Sequence, residues 1–292
     1  MSARGGGGGP FPPSIPLLIL RIGRRVFSMS GPFILVSPGA TRGLGLALTR
    51  QYLRSTSLPV YTTHRLESEA HARIKDHIME PLKDVDPSRL HLLKIDLRSE
   101  DSISGASKAL QESLAKHGDE KKAYIRTAFI AGGILFPEKS PADLDWDHIK
   151  ETFQTNVISH LLMIKHFSPF LPARKQYKGE PAKWVHVGAR VGSVADNHRG
   201  GWYSYRASKA ALNQVVKTFD IHLKLHTNNA ICVGVHPGTV KTDLSKGYWG
   251  SEERSESFTP DDAAGNLVKL VEGLEDHQRG RVWDWAGEEV PP

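Results

Sequence analysis

One cysteine occurs in 292 residues. A disulfide within the chain is therefore excluded. Cys232 lies in the apolar run Ile231-Cys232-Val233-Gly234-Val235 and reads as a buried thiol in a reducing compartment. Acidic residues are absent before Glu67, whereas eight Arg precede it. The rest of the chain is close to balanced, so the net charge of +6 is an N-terminal excess. No basic patch with interleaved aromatics is present, which argues against nucleic acid as a partner. Leu17–Leu20 is far too short for a membrane span, which needs about 20 apolar residues. The 14 His are scattered without His-Glu-x-x-His or another ligand spacing, so no metal is expected. A hydrophobic content of 39% and a charged content of 24% fit a soluble globular protein.

Residues 1–30 stand apart in composition. Gly5–Gly9 is a glycine run, and Pro10, Pro12, Pro13 and Pro16 follow it closely, so no packed core forms there. From Leu17 to Phe27, Leu18, Ile22 and Val26 fall at four-residue steps, with Arg21, Arg24 and Arg25 on the other side. A short basic amphipathic helix without acidic residues is the pattern of a mitochondrial presequence. Arg25-Val26-Phe27-Ser28 resembles a matrix-protease site cut between Phe27 and Ser28. A disordered tail, or initiation at Met29, is the alternative. The expected location is the mitochondrial matrix or the cytoplasm.

From Gly31 to Pro292 the chain reads as one domain. Short apolar runs alternate with helical patterns. Strands are expected at Phe33–Val36, Val60–Thr63, Leu90–Ile95, Tyr124–Ala131, Trp184–Val187 and Ile231–Val235, with an edge strand at Arg281–Trp285. Helices are expected at Leu44–Leu53, Leu66–Ile78, about Ser99–Lys116, about Asp145–Phe170, Tyr203–Leu225 and Asp261–Leu274. Regular alternation of this kind makes an α/β fold, a Rossmann-type doubly wound parallel sheet. Tyr248–Phe258, polar and glycine-containing, is the expected mobile loop.

Two stretches carry chemistry. The first is Gly39-Ala40-Thr41-Arg42-Gly43-Leu44-Gly45, between the first strand and the first helix. Its glycines let backbone amides approach a phosphate at a helix N-terminus. Arg65 lies 20 residues beyond Gly45, where such a site reads the ribose. A carboxylate there would suit NAD; Arg65, with Arg42 in reach of the same group, suits a 2′-phosphate. NADP(H) is thus the expected cofactor. Asp96, followed by Leu97 at the end of the third strand, would accept from the adenine amino group or cap the next helix. Ala131, Gly132 and Gly133 close the fourth strand with side chains small enough for adenosine to pass.

The second stretch is Tyr203-Ser204-Tyr205-Arg206-Ala207-Ser208-Lys209. Residues four apart share a helix face, so the Lys209 ammonium can sit beside the Tyr205 phenol. A fixed positive charge lowers a phenol's pKa from its ordinary value of about 10. The pair is then a tunable acid/base.

Together these motifs resemble the classical short-chain dehydrogenase/reductase family over about Phe33–Val290. Gly192-Ser193-Val194, the run from Gly201 to Asn213, and the tail Trp283-Asp284-Trp285-Ala286-Gly287-Glu288 are similar to its C-factor-like subgroup. The resemblance implies hydride transfer between NADP(H) and a small carbonyl or alcohol. Tyr205 would be the acid/base and Lys209 the nicotinamide-ribose ligand that also depresses the Tyr pKa. Asn156 would hold a water that links Lys209 to solvent. In His236-Pro237-Gly238-Thr239-Val240-Lys241-Thr242, the Pro237-Gly238 turn with Val240 and Thr242 would position the nicotinamide amide and pyrophosphate. The resemblance also implies a homodimer or homotetramer through the helices after Asp145 and Tyr203.

The chain departs from the family in two places. Asn-Asn-Ala-Gly is replaced by Ile130-Ala131-Gly132-Gly133. Ala189 stands where the family has its catalytic Ser. Ser193 is the nearby hydroxyl, either moved into that role or satisfying a turn. Asp196, Asn197 and His198, with the aromatics Trp202, Tyr203, Tyr248 and Trp249, either face substrate or belong to surface loops. A nucleotide-binding sensor with little or no catalysis is the rival to the enzyme.

Overall fold

The computed structural model describes residues 31–117, 123–175, 177, 179–226, 228–246 and 257–292. The expected presequence pattern, Tyr248, Trp249 and most of the expected mobile loop therefore lie outside the described residues.

β1 (Pro32–Ser37) alternates its apolar side chains between two layers. Ile34 and Val36 point into one cluster with Leu48, Phe129, Val233 and Leu267. Phe33 and Leu35 point into the other, with Ile103, Leu110, Met163, Trp184 and Phe219. A strand buried on both faces favours an unbroken apolar run such as Phe33–Val36. β2 (Val60–His64), β5 (Ala182–Val187) and β6 (Ala230–His236) are likewise buried almost throughout, although β2 and β5 bury the polar Thr62, Thr63, His64, Lys183 and His186 as well. β3 (Leu90–Lys94), β4 (Tyr124–Ile130) and β9 (Val282–Asp284) complete a seven-stranded sheet of order β3-β2-β1-β4-β5-β6-β9. Every pairing in it is parallel. This is the expected α/β doubly wound fold. Strand order reverses between β1 and β4, and the crevice for a ligand opens at their carboxyl ends.

The helices are α1 (Gly43–Ser55), α2 (His71–Met79), α3 (Glu100–His117), α4 (Trp146–Phe153), α5 (Ser159–Phe167), α6 (Tyr203–Leu225) and α7 (Pro260–Glu272). Two differ from expectation. The segment from Leu66 does not begin as an α-helix: a 3₁₀ turn at Ser68–Ala70 precedes α2. The long helix expected from Asp145 to Phe170 is broken into α4 and α5 by a π-helical turn at Gln154–Ile158, and it ends in a 3₁₀ turn. The Ser159 hydroxyl donates to the Thr155 carbonyl at 2.6 Å, taking a bond the regular ladder would make with an amide. The expected mobile loop also differs at its end, because Ser257–Phe258 forms β8, which pairs with β7 (Thr239–Val240).

Among the described residues no helix is long and apolar enough to cross a membrane. Among the same residues no group of three His, Cys, Asp or Glu side chains could hold a metal ion.

Candidate active site

The glycine loop joins β1 to α1 over a cluster of buried hydroxyls. Thr49 Oγ1 donates to the Gly39 carbonyl at 2.8 Å and lies 3.0 Å from Thr62 Oγ1. The loop is tight. A Cβ added at Gly45 would lie 2.1 Å from the Pro38 carbonyl oxygen, and one at Gly39 2.4 Å from Thr62 Oγ1. Gly43 has φ +61°, a conformation that suits glycine, and faces the Thr242 side chain. Arg42 precedes α1 without a side-chain cap, and the first turn holds no acidic residue. The amides of a 13-residue helix are thus left for an anion. Thr41, Leu44 and Gly45 lie in the same turn. The donor set fits the phosphates of a dinucleotide.

Arg65 is exposed at the end of β2. Past β3, where Ser99 Oγ accepts from the Ser102 amide in the first turn of α3, Asp96 serves the turn before that helix rather than its cap. Its carboxylate accepts from the Arg98 amide at 3.0 Å and pairs with the Arg98 guanidinium at 3.2 Å. Arg98 holds its pKa low, with a smaller contribution from Arg65, so Asp96 and Arg65 share one rim of the crevice. Arg42 is already engaged: its Nη1 lies 3.0 Å from Asp243 Oδ2. Both side chains are about three-quarters exposed, at 74% and 76%. Such a pair contributes about 0–1 kcal/mol and yields readily to a stronger anion.

Gly132 and Gly133 connect the two halves of the site. A Cβ at Gly132 would strike Leu97 at 2.6 Å. One at Gly133 would lie 3.5 Å from Lys209 Nζ and 3.7 Å from Asn156 Oδ1. The amide of Ala131 donates to Ser37 at 2.7 Å and ties this segment to β1. On the far side, Gly238 has φ +75° and is packed beneath Phe258 and Trp285. That turn carries Pro237, Val240 and Thr242 to the crevice opposite the glycine loop.

α6 begins at a left-handed Trp202, φ 50°. Its N-terminus is held by Glu138, only 2% exposed, whose Oε2 accepts from the Ser204 amide at 2.7 Å. The Glu138 carbonyl accepts from the Trp202 amide at 2.6 Å. A buried carboxylate at a helix N-terminus opposes the dipole's positive end. Sequence reasoning missed Glu138, because Glu138-Lys139-Ser140 looks like a solvated loop. α6 buries Ser204, Tyr205, Ser208, Lys209, Leu212, Val216, Phe219 and Leu223 along one stripe. That stripe brings Tyr205 and Lys209 together. Lys209 Nζ lies 5.7 Å from the centre of the Tyr205 ring and donates to the Val187 carbonyl at 3.0 Å.

The electrostatics correct one expectation. Lys209 was expected to lower the Tyr205 pKa. Instead, burial pushes Tyr205 up to about 12. Burial also lowers Lys209 to about 8. Desolvation disfavours the charged form of each group, and here it dominates.

Asn156 lies in the π turn. Its Oδ1 accepts from the Ile134 amide at 2.8 Å, and its Nδ2 donates to the Ile134 carbonyl and to Ser208 Oγ, both at 3.0 Å. The side chain thus braces the β4–α4 segment against α6.

Ala189 lies two residues past β5 in an extended conformation, 9% exposed, before a 3₁₀ turn at Arg190–Gly192. A Cβ at Gly192 would lie 2.7 Å from the Lys209 carbonyl carbon, so this turn is seated on α6. Ser193 is committed elsewhere. Its Oγ accepts from the Asp196 amide at 3.0 Å and donates to the Pro292 carbonyl at 3.4 Å. These bonds are those of a turn serine. Asp196 pairs with Arg190 at 3.3 Å, and Arg190 reaches Asp284 at 3.1 Å. Asn197 accepts from the Gly200 amide at 3.1 Å. The Asp196–His198 stretch therefore organises its own loop.

Beneath the site, His160 and His186 are fully buried and both held below the ordinary His value. Burial and then the Lys209 charge bring His160 down to about 3. Burial, then His160 and Lys209, also hold His186 well below the ordinary His value. An unfolded His titrates near about 6.5, so below that pH the unfolded chain binds protons the native chain does not. Stability is complete above about pH 6.5 and falls as pH drops, by at most about 1.4 kcal/mol per pH unit for each imidazole. Urea melts between pH 7.5 and pH 5 should show this acid-side loss beyond what carboxylates explain; the His160→Gln variant should lose about half of it. An identical slope in that variant would remove His160 from the account.

The sequence profile that matches is that of the short chain dehydrogenases, over residues 34–253. The chain is 32% identical over 218 residues to the 1-hydroxy-2-glutathionyl-2-methyl-3-butene dehydrogenase of Rhodococcus sp. (strain AD45), covering 75% of this chain and 89% of that one. It is 34% identical over 149 residues to the C-signal protein of Myxococcus xanthus, covering 51% and 81%. Among solved structures it is similar to an NADPH-bound carbonyl reductase from chicken fatty liver, with TM-score 0.72, 26% identity and coverage of 89% and 98%. With that profile spanning most of the folded chain, the chain belongs to the short-chain dehydrogenase family, classical branch.

Proposed function

We propose that the protein is an NADP(H)-dependent oxidoreductase that interconverts a small carbonyl compound and its alcohol, with Tyr205 as the acid/base. The observation that carries this reading is the burial of Tyr205 and Lys209 one turn apart on α6, beside the crevice where strand order reverses. When bound, the nicotinamide supplies or accepts the hydride. Tyr205 stays protonated at neutral pH, because burial holds its phenol near 12. It is thus poised to give its proton to the oxygen of a carbonyl undergoing reduction. Lys209, near 8, remains largely charged at pH 7 and suits a ribose hydroxyl.

NADPH consumption against a panel of aldehydes, ketones and quinones tests the reading. Turnover of none of them would favour a second one, an NADP(H)-binding sensor with little catalysis. A specific observation supports that rival: Ala189 lacks a hydroxyl, and Ser193 spends its own on a turn.

Arg65 and Arg42 are the proposed readers of the 2′-phosphate. Arg65→Ala should weaken NADPH about tenfold and leave NADH within about twofold, since a charge-assisted bond is lost with the phosphate alone. Calorimetric titration of both cofactors checks this; equal losses would put Arg65 outside the phosphate site. We also propose a homodimer or homotetramer through the face bearing Ile158 and Leu161 of the helix after Asp145 and Ile221 and Leu225 of α6, all exposed. Sedimentation as a monomer would refute it.

A further inference from the structure

Two imidazoles and an indole form a single hydrogen-bonded chain inside the apolar layer beside β5. Trp184 Nε1 donates to His186 Nε2 at 3.0 Å. An indole N–H is only a donor, so His186 Nε2 must be unprotonated. Neutral His186 therefore carries its proton on Nδ1, which lies 2.8 Å from His160 Nδ1. His160 accepts there, so its own proton is on Nε2, 2.9 Å from the Gly132 carbonyl oxygen. One donor pattern satisfies every ring nitrogen, and the chain has one outlet, Gly132.

That carbonyl needs a partner. The β4–β5 ladder ends at Ile130↔His186, and the β1–β4 ladder at Ser37↔Ile130. Gly132 lies beyond both, at the crevice, where a buried carbonyl left unpaired is costly. It is also confined on its other side, since a Cβ there would reach Leu97 at 2.6 Å. Its neighbour Gly133 lies against Lys209 and Asn156. The height of this short segment therefore sets the floor of the crevice. An apolar replacement of the whole chain would serve packing equally well, so a polar chain with one end on Gly132 points to the carbonyl.

We propose that His160 and His186 are positioning residues for cofactor binding, with the Trp184–His186–His160 chain fixing the Gly132 carbonyl beneath the adenosine half of NADP(H). The proposal rests on the NADP(H) reading above.

The test uses the full chain and two variants that split the chain at different links. His160→Gln keeps an amide donor where imidazole Nε2 sits and so retains the bond to Gly132. His160→Asn can accept from His186 but falls short of Gly132. NADPH affinity should fall about tenfold in the Asn variant, as for one lost hydrogen bond, and stay within about threefold of wild type in the Gln variant. Melting temperatures, measured alongside, should drop in both. Equal weakening in the two variants, or none in either, would overturn the proposal. A wild-type chain that binds no NADPH would instead bring down the functional reading, and this proposal with it. Nitrogen-15 spectra of the wild-type histidines give a check that needs no variant to fold. They should place the proton of His160 on Nε2 and that of His186 on Nδ1; the reverse assignment would break the chain.

Discussion

Tyr205→Phe should lower turnover by about 10³-fold while leaving NADPH affinity within about twofold. The phenol is the group placed to move a proton at the substrate oxygen, and a positioned general acid contributes on the order of 10²–10⁴. Removing one oxygen leaves the ring's edge-on contact with Trp202, at 6.1 Å between centroids, available to Phe. Lys209 keeps its bond to Val187, so the crevice stays intact. Steady-state rates with the best substrate from the panel, paired with cofactor titration, check both halves. Retained turnover would assign the proton to another group. Lost NADPH binding would show that the variant had disturbed the site rather than its chemistry.

Ala189→Ser should raise kcat by about 10²-fold. The argument is one of a missing donor. A hydrogen bond aimed at oxygen as charge develops there is worth on the order of 10²–10³ in rate. Ala189 follows β5 at the start of a turn seated against Lys209 of α6, so a hydroxyl added there would stand on a rigid base. Ser193, the only candidate near it in sequence, holds Asp196 and Pro292 instead. Its replacement by Ala should therefore act on loop stability. A rate unchanged by Ala189→Ser, with NADPH bound normally, would mean that the substrate oxygen is met by a different donor or that the site does not turn over.

Much of the frame was legible because parallel strands buried on both faces favour continuous apolar runs. Phe33–Val36 and Ile231–Val235 announce themselves in that way. The Tyr205–Lys209 pair was legible because a four-residue spacing on a helix is a local fact. Its electrostatics were not, since desolvation depends on what other segments pack around it. The break at Gln154–Ile158 was hidden because the helical pattern runs straight through it. His160 and His186 are 26 residues apart and meet only through the sheet. Asp243 is 201 residues from Arg42, and no periodicity joins them. Glu138 carries a loop's sequence signature and a core residue's burial.

The Arg42–Asp243 contact changes how cofactor entry should be viewed. Under the NADP(H) reading, a 2′-phosphate reaching Arg42 does not meet a bare guanidinium. It displaces a carboxylate that occupies the same place, and Asp243 is returned to water. Binding at this corner is then an anion exchange, and the gain is the difference between two pairings rather than the worth of one. Asp96, the anion near Arg65, is paired with Arg98 instead, so more of the discrimination between the phosphorylated and unphosphorylated cofactor falls to Arg65. Asp243 belongs to the segment that follows the Pro237-Gly238 turn, so the same exchange reports cofactor arrival to the opposite wall of the crevice.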